Sequence, residues 1–271
     1  MLAISSAVVG FSALARGLVI RSAAAPSAAM TTRATRHLMT MTTTTTPATV
    51  VGKDVGKLTY LNSMVRSRGE PTQICAAYGG VGMEVELVPY DVWESRKGKI
   101  APFLPYITQP DGSVLIETLV IMKHLAEVGG KFVIDEKTEK LCEIANSAPI
   151  VQADNIFNLP GGGGVGEKAG DPKYDEWFKG TAEVLKEYVV QLGDGPFFAG
   201  EKPGYGEAFV FHNLDNCFDI DKAAFTDAIG EDGMAKLTAF YGKFAALDGV
   251  KEYLAGRPKA WGLPGSRANP A

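Results

Sequence analysis

Strand-type patterning is confined to a stretch ending near Ile116, and beyond Asp135 only helical spacing remains. This one-way switch dictates a small α/β unit followed by a helical one. Leu58 to Leu61 is a short apolar, β-prone run, and Pro71 followed by Thr72 to Tyr78 predicts a helix with proline in its first turn. Glu84 to Tyr90, EVELVPY, alternates polar and apolar residues and reads as a second strand ending at Pro89. After a polar segment holding Trp93 come Leu104 to Thr108, the turn Gln109-Pro110-Asp111-Gly112 and Ser113 to Ile116, the signature of a hairpin. Thr118 then caps a helix to about Val128, with Leu119, Met122, Leu125 and Ala126 on its buried face and Gly129-Gly130 as its stop. The order is βαβ, ββ, α. Helical periodicity continues at about 136–158, 174–192, 205–218, 234–247 and 250–254, and the Gly-rich, proline-bounded residues 159–172 read as a loop between helices.

The first fifty-odd residues are chemically separate. No Asp or Glu occurs before Asp54, whereas Arg16, Arg21, Arg33 and Arg36 sit among Ala, Ser and Thr, the composition of a targeting leader. The apolar run from Leu2 to Leu14 is too short to span a bilayer. The leader is expected to address an organelle, plastid or mitochondrion; starts at Met30, Met39 or Met41 would give a cytoplasmic form. The Thr42 to Thr46 run reads as a linker. Setting aside the four leader arginines and Lys53 from the 27 basic residues leaves 22 against 31 acidic ones, a balance of about −9. Such a surface offers no field for nucleic acid, and no paired Cys/His spacing for zinc occurs, so no metal site is expected. Cys75, Cys142 and Cys217 are scattered and odd in number; they suggest a reducing compartment and buried small apolar residues rather than a disulfide framework. The expected layout is a leader at 1–53, an α/β unit at 54–132, a helical domain at 136–260 and a tail at 261–271.

The element order, with Tyr60 ending the first strand and Leu104-Pro105 opening the hairpin, resembles the soluble glutathione transferase family, nearest the sigma class. KLTYLN at residues 57–62 is similar to the family's first strand, and RGEP at 68–71 is similar to its GRAEP helix start. ETLVIMKHLA at 117–126 is similar to the QSxAIxRYLA helix, and PFFAG at 196–200 and VKEYLAGRP at 250–258 are similar to later family segments. The resemblance covers about residues 55 to 260 and implies a thioredoxin-like N-terminal domain with an all-α C-terminal domain. Two departures stand out. Two extra residues lie between Tyr60 and Glu70, and the family's helix-start box of Ser or Thr followed by Asp appears as Gly204 and Glu207, which keeps the acceptor and loses the capping hydroxyl.

A thiol used as a nucleophile must be held as thiolate, and free cysteine titrates near about 8.5. The resemblance implies that Tyr60 donates its phenol hydrogen to the sulfur of glutathione; the residues alone favour a buried aromatic at a strand end. Ser63 is the alternative donor if the longer loop displaces Tyr60. Pro105 is implied to be cis, so that Leu104 pairs backbone to backbone with the cysteinyl part, where base rates alone favour trans. Glu117 and Thr118 stand before a helix whose N-terminus attracts the γ-glutamyl carboxylate, with Glu117 on the ammonium; Thr118 would cap the helix in any case. Trp93 and Lys97 are implied to meet the glycyl end, although Trp93 on its own is ordinary packing. Asp154 is implied to reach the γ-glutamyl ammonium of a partner subunit in a two-fold homodimer, or else is a solvated helix-face carboxylate.

The resemblance thus implies conjugation of glutathione, as co-substrate with no further cofactor, to apolar electrophiles. An isomerase or peroxidase using the same thiolate is the nearer alternative, and a non-catalytic binding or structural protein the more distant one. Gly161, Gly163 and Gly166 satisfy GxGxxG but lack the preceding strand that a dinucleotide site needs. His124 and His212 have no partner at a telling spacing, and His37 lies in the leader. Tyr205, Phe209, Phe211 and Phe218 read as core, with an apolar substrate wall as the other possibility.

Overall fold

The computed structural model describes residues 53–61, 67–152 and 172–257. The chain opens with β1 (Asp54–Leu61), α1 (Gly69–Gly79), β2 (Gly82–Val88), α2 (Tyr90–Arg96), β3 (Tyr106–Thr108), β4 (Val114–Ile116) and α3 (Thr118–Gly129). The sheet order is β2-β1-β3-β4, with β1 parallel to β2 and antiparallel to β3, and β3 antiparallel to β4. Alternation along β1 sends Leu58 to one face, into an apolar cluster with Ile74 of α1, Ile107 of β3 and Ile121 of α3, all fully buried. Each such side chain stabilises the fold by roughly 1.5–3 kcal/mol. The opposite face carries a smaller cluster of Val88, Trp93, Ala101 and Tyr106.

The segment around Trp93 is the helix α2 rather than an unstructured polar stretch. Pro89 ends β2 and stands at the N-cap of α2, Asp91 lies in its first turn and Arg96 in its last, so both charges complement the helix dipole. The second strand accordingly ends at Val88 and begins at Gly82, two residues earlier than the alternation suggests. Helix α1 begins at Gly69, which leaves Pro71 in its first turn, where a missing N–H costs nothing.

The helical part comprises α4 (Glu136–Ser147), a 3₁₀ turn (Pro149–Gln152), α5 (Pro172–Leu192), α6 (Glu207–Ile229), α7 (Glu231–Ala245) and α8 (Val250–Gly256). Helix α4 stops well short of residue 158 because Ala148 precedes a proline and is pushed out of the helical region, to φ −61° and ψ 135°. Helix α6 outruns its expected end by eleven residues, but across a break: Asp221 has φ −160° and ψ 79°, and its carboxylate caps the restarted segment through the Ala224 N–H. Phe209, Phe211, Tyr205 and Phe218 are all buried, as the core reading expects. The main apolar cluster runs without interruption from the sheet through α1 and α3 into α4, α6 and α7. Among the described residues no helix is long and apolar enough to cross a membrane.

The start of α6 explains the altered helix-start box. The Glu207 carboxylate accepts the Gly204 N–H at 2.8 Å and the Ala199 N–H at 3.0 Å, so the acceptor half of the box is kept. A side chain on Gly204 has no room: its Cβ would lie 2.2 Å from Cγ2 of Thr138. Thr138 is itself committed, as the third residue of α4, to a reciprocal capping box with Asp135. The two helix starts interlock, and a bridge between Val133 and Gly204 ties the connection after α3 to the same seam.

Candidate functional site

Strand register brings three predicted residues into one row. Thr59 of β1 pairs with Tyr106 of β3, which pairs in turn with Ile116 of β4. One step beyond each stand Tyr60, Pro105 and Glu117, all at the same edge of the sheet, with Leu104 and Thr118 next along. The Leu104–Pro105 peptide is cis.

Tyr60 shares the face of Leu58 and is largely buried. Its ring lies against the first residue of α1, where a Cβ on Gly69 would meet Cδ1 at 2.5 Å. Glu117 has φ 73° and ψ 120°, the one non-glycine residue with positive φ among those described. An outlier of this kind costs on the order of 1–3 kcal/mol and is tolerated where the surroundings enforce it, commonly at ligand clamps.

Thr118 does not cap α3. Glu117 occupies the N-cap, its side chain makes no capping bond, and Thr118 is the first helical residue, buried at 6% exposure. The reason lies in the backbone: the non-helical dihedrals an N-cap needs have been taken by Glu117, so the Thr118 hydroxyl sits inside the turn. The first N–H groups of α3 therefore lack intrahelical partners, and they face the row with the positive end of the helix dipole.

Trp93 lies on the far face of the sheet, buried, with its ring 6.5 Å from that of Tyr106. Leu104 and Ile116, which flank the row, pack against its cluster. Lys97 ends α2, half-exposed, 3.8 Å from Glu94. Trp93 thus supports the cis-proline segment by packing. Asp154, Ser63, the lengthened loop after Leu61, the GxGxxG glycines and His37 lie outside the described residues.

His212 has a carboxylate partner that no spacing in the sequence reveals. Its Nδ1 lies 3.1 Å from Oε2 of Glu70, 142 residues away, and both side chains are buried. Around them gather Arg257, bonded to both Glu70 (2.9 Å) and Asp215 (2.8 Å), and Tyr253, donating to Glu70. Tyr241 donates to Asp215, and Asn216 reaches Nε2 of His212. The signal in the sequence was polar residues at 212, 215 and 216 on one face of an otherwise apolar helix, a pattern that cannot name a partner so distant.

Residues 167–257 match the family described as glutathione S-transferase, C-terminal domain. No curated protein sequence matches the chain. Among solved structures, the Pi-class glutathione S-transferase of Onchocerca volvulus is 20% identical, with a TM-score of 0.58 over 74% of this chain and 92% of that one. A glutathione transferase family member from Pseudomonas fluorescens, with two glutathione bound, is 17% identical at a TM-score of 0.57, over 73% of this chain and 91% of its own. Rat hPGDS complexed with a quinoline is 16% identical, at a TM-score of 0.56 over 76% and 98%. With a cis-proline row at the edge of a thioredoxin-like sheet and an all-α part behind it, the chain has the glutathione transferase fold, and its C-terminal helices match the domain of that family.

Proposed function

We propose that this chain is a glutathione transferase, in which Tyr60 holds the glutathione sulfur as thiolate for attack on an apolar electrophile. The observation that carries the reading is the row of Tyr60, cis Pro105 and Glu117 at one sheet edge, in front of the first turn of α3, which the N-cap side chain leaves unbonded. The γ-glutamyl carboxylate sits on the free N–H groups of that turn beside Thr118, and the Glu117 carboxylate takes the ammonium. Leu104 offers its backbone to the cysteinyl part, and Lys97 supplies a cation for the glycyl carboxylate. The Tyr60 O–H donates to sulfur without adding charge, so the thiol gives up its proton to water near neutrality. The thiolate then forms a carbon–sulfur bond while the electrophile's leaving group departs with the displaced electron pair.

Turnover of a chloronitrobenzene with glutathione, and of an organic hydroperoxide in parallel, tests this on the full chain and its Tyr60→Phe variant. The expected result is conjugation in the parent and a drop of about 10²-fold in kcat in the variant, the cost of one lost donor to a developing anion. Reduction of the hydroperoxide alone would move the reading to a peroxidase. Retention on immobilised glutathione without turnover would favour a binding protein, and failure to bind would remove glutathione altogether.

A further inference from the structure

The ring of Tyr60 rests on the backbone of Gly69. A Cβ built on Gly69 falls 2.5 Å from Cδ1, 2.6 Å from Cγ and 2.9 Å from Cε1 of the Tyr60 ring, against the roughly 3.5–4.0 Å of an ordinary carbon contact. These are the root and near edge of the ring, not the tip of a flexible chain. In this chain a methyl at 69 has room only if the ring, or the turn that bears residue 69, shifts.

The turn bearing Gly69 is itself held from the helical part. Glu70, the next residue, is 1% exposed, and its carboxylate accepts from His212 of α6 and from Tyr253 and Arg257 at the end of α8. Arg257 also bonds Asp215 of α6, which accepts from Tyr241 of α7. Helices α6 and α8 thus fix one carboxylate in the first turn of α1, with α7 joined to them through Asp215, and that turn carries the glycine under the ring.

We infer that Gly69 and Glu70 are positioning residues for Tyr60: Gly69 forms the bed of the phenol ring, and the buried Glu70 cluster sets the height of that bed relative to the helical part. The inference rests on the transferase reading for its consequence but not for its geometry.

Gly69→Ala in the full chain separates this from a merely structural role. A glycine that matters only for folding should answer the added methyl with a lower melting temperature and leave the Tyr60 phenol unmoved. A bed for the ring predicts instead a displaced Tyr60 phenol titration, read as the ultraviolet difference against the same protein carrying Tyr60→Phe. It also predicts a bound glutathione thiol whose ionisation moves back toward that of the free thiol, and kcat lower by about tenfold with the glutathione KM within about twofold. Glu70→Gln, which keeps the shape and removes the charge, should move the same two titrations in the same direction by less. A folded Gly69→Ala protein with an unmoved phenol titration overturns the inference whether or not glutathione is turned over. A displaced phenol titration in Gly69→Ala, with Tyr60→Phe fully active, would sustain the positioning and remove only the transferase reading.

Discussion

At the scale of single residues, Glu117 carries the clearest stored strain. Its positive φ is one that glycine adopts freely, so Glu117→Gly exchanges a penalty of roughly 1–3 kcal/mol for the roughly 0.5–1 kcal/mol that glycine adds in unfolded-state entropy. The variant should unfold at equal or higher urea concentration while binding glutathione more weakly, having lost the carboxylate assigned to the ammonium. A variant that is less stable and binds as well would show that the conformation serves folding alone. The residues of the row were legible because each stands at a strand end marked by local sequence: a Tyr closing a β-prone run, a Leu-Pro opening a hairpin, a Glu-Thr before a periodic helix. Trp93 was half legible, since its burial follows from chemistry but the helix that buries it is only seven residues long. The Glu70 and His212 pair was illegible, because nothing local in either strand of sequence points across 142 residues.

At the scale of elements, the start of α6 makes the fold sensitive to pH. Burial pushes the Glu207 carboxyl up from its ordinary range to about 7, against the lowering pull of the Gly204, Ala199 and Phe198 N–H groups and of Lys137. Among the described residues no hydrogen-bond partner reaches its buried Oε2, so desolvation wins. The folded chain therefore holds this proton more tightly than the unfolded chain, whose carboxyl titrates near 4.5. The stability it contributes is complete below about 4.5, falls as pH rises toward about 7, and is flat above, a total on the order of 3 kcal/mol. Urea unfolding of Glu207→Gln, which retains an acceptor for Gly204, should lose this component of the decline between those limits. An identical pH profile in parent and variant would assign the decline elsewhere. Helix ends were the least legible part of the elements. Ala148 before Pro149 stopped α4 as a rule about proline anticipates, whereas the restart of α6 at Asp221 had no such marker in a run that remains helical on both sides.

At the scale of the whole molecule, α1 is the element shared by both parts: it packs against α3 on its own side and against α6 and α8 on the other. Among the charges that join them, Arg257 bonds two carboxylates at once, Glu70 and Asp215. Removing it, as in Arg257→Met, takes away the cation that Glu70 and Asp215 share and should cost about 3–5 kcal/mol. Adding Glu70→Gln and Asp215→Asn should recover much of that loss in the same unfolding experiment. A loss under about 1 kcal/mol in the single variant would mean that the carboxylates relax into water, and the two parts would then be joined by apolar packing alone. The division into a sheet-bearing part and a helical part was plain from hydrophobic period, because period reports which face of each element is covered. What covers it across a seam is a matter of shape, and shape at Gly204 has a historical consequence. The methyl of Thr138 fills the space a hydroxyl-bearing residue would need at position 204. A sequence carrying Thr138 cannot take Ser or Thr there in one step; position 138 must shrink first, and the helix start it caps must pass through a weakened intermediate. Two neighbouring caps that compete for one volume make the order of substitutions, and not only their sum, a property of the fold.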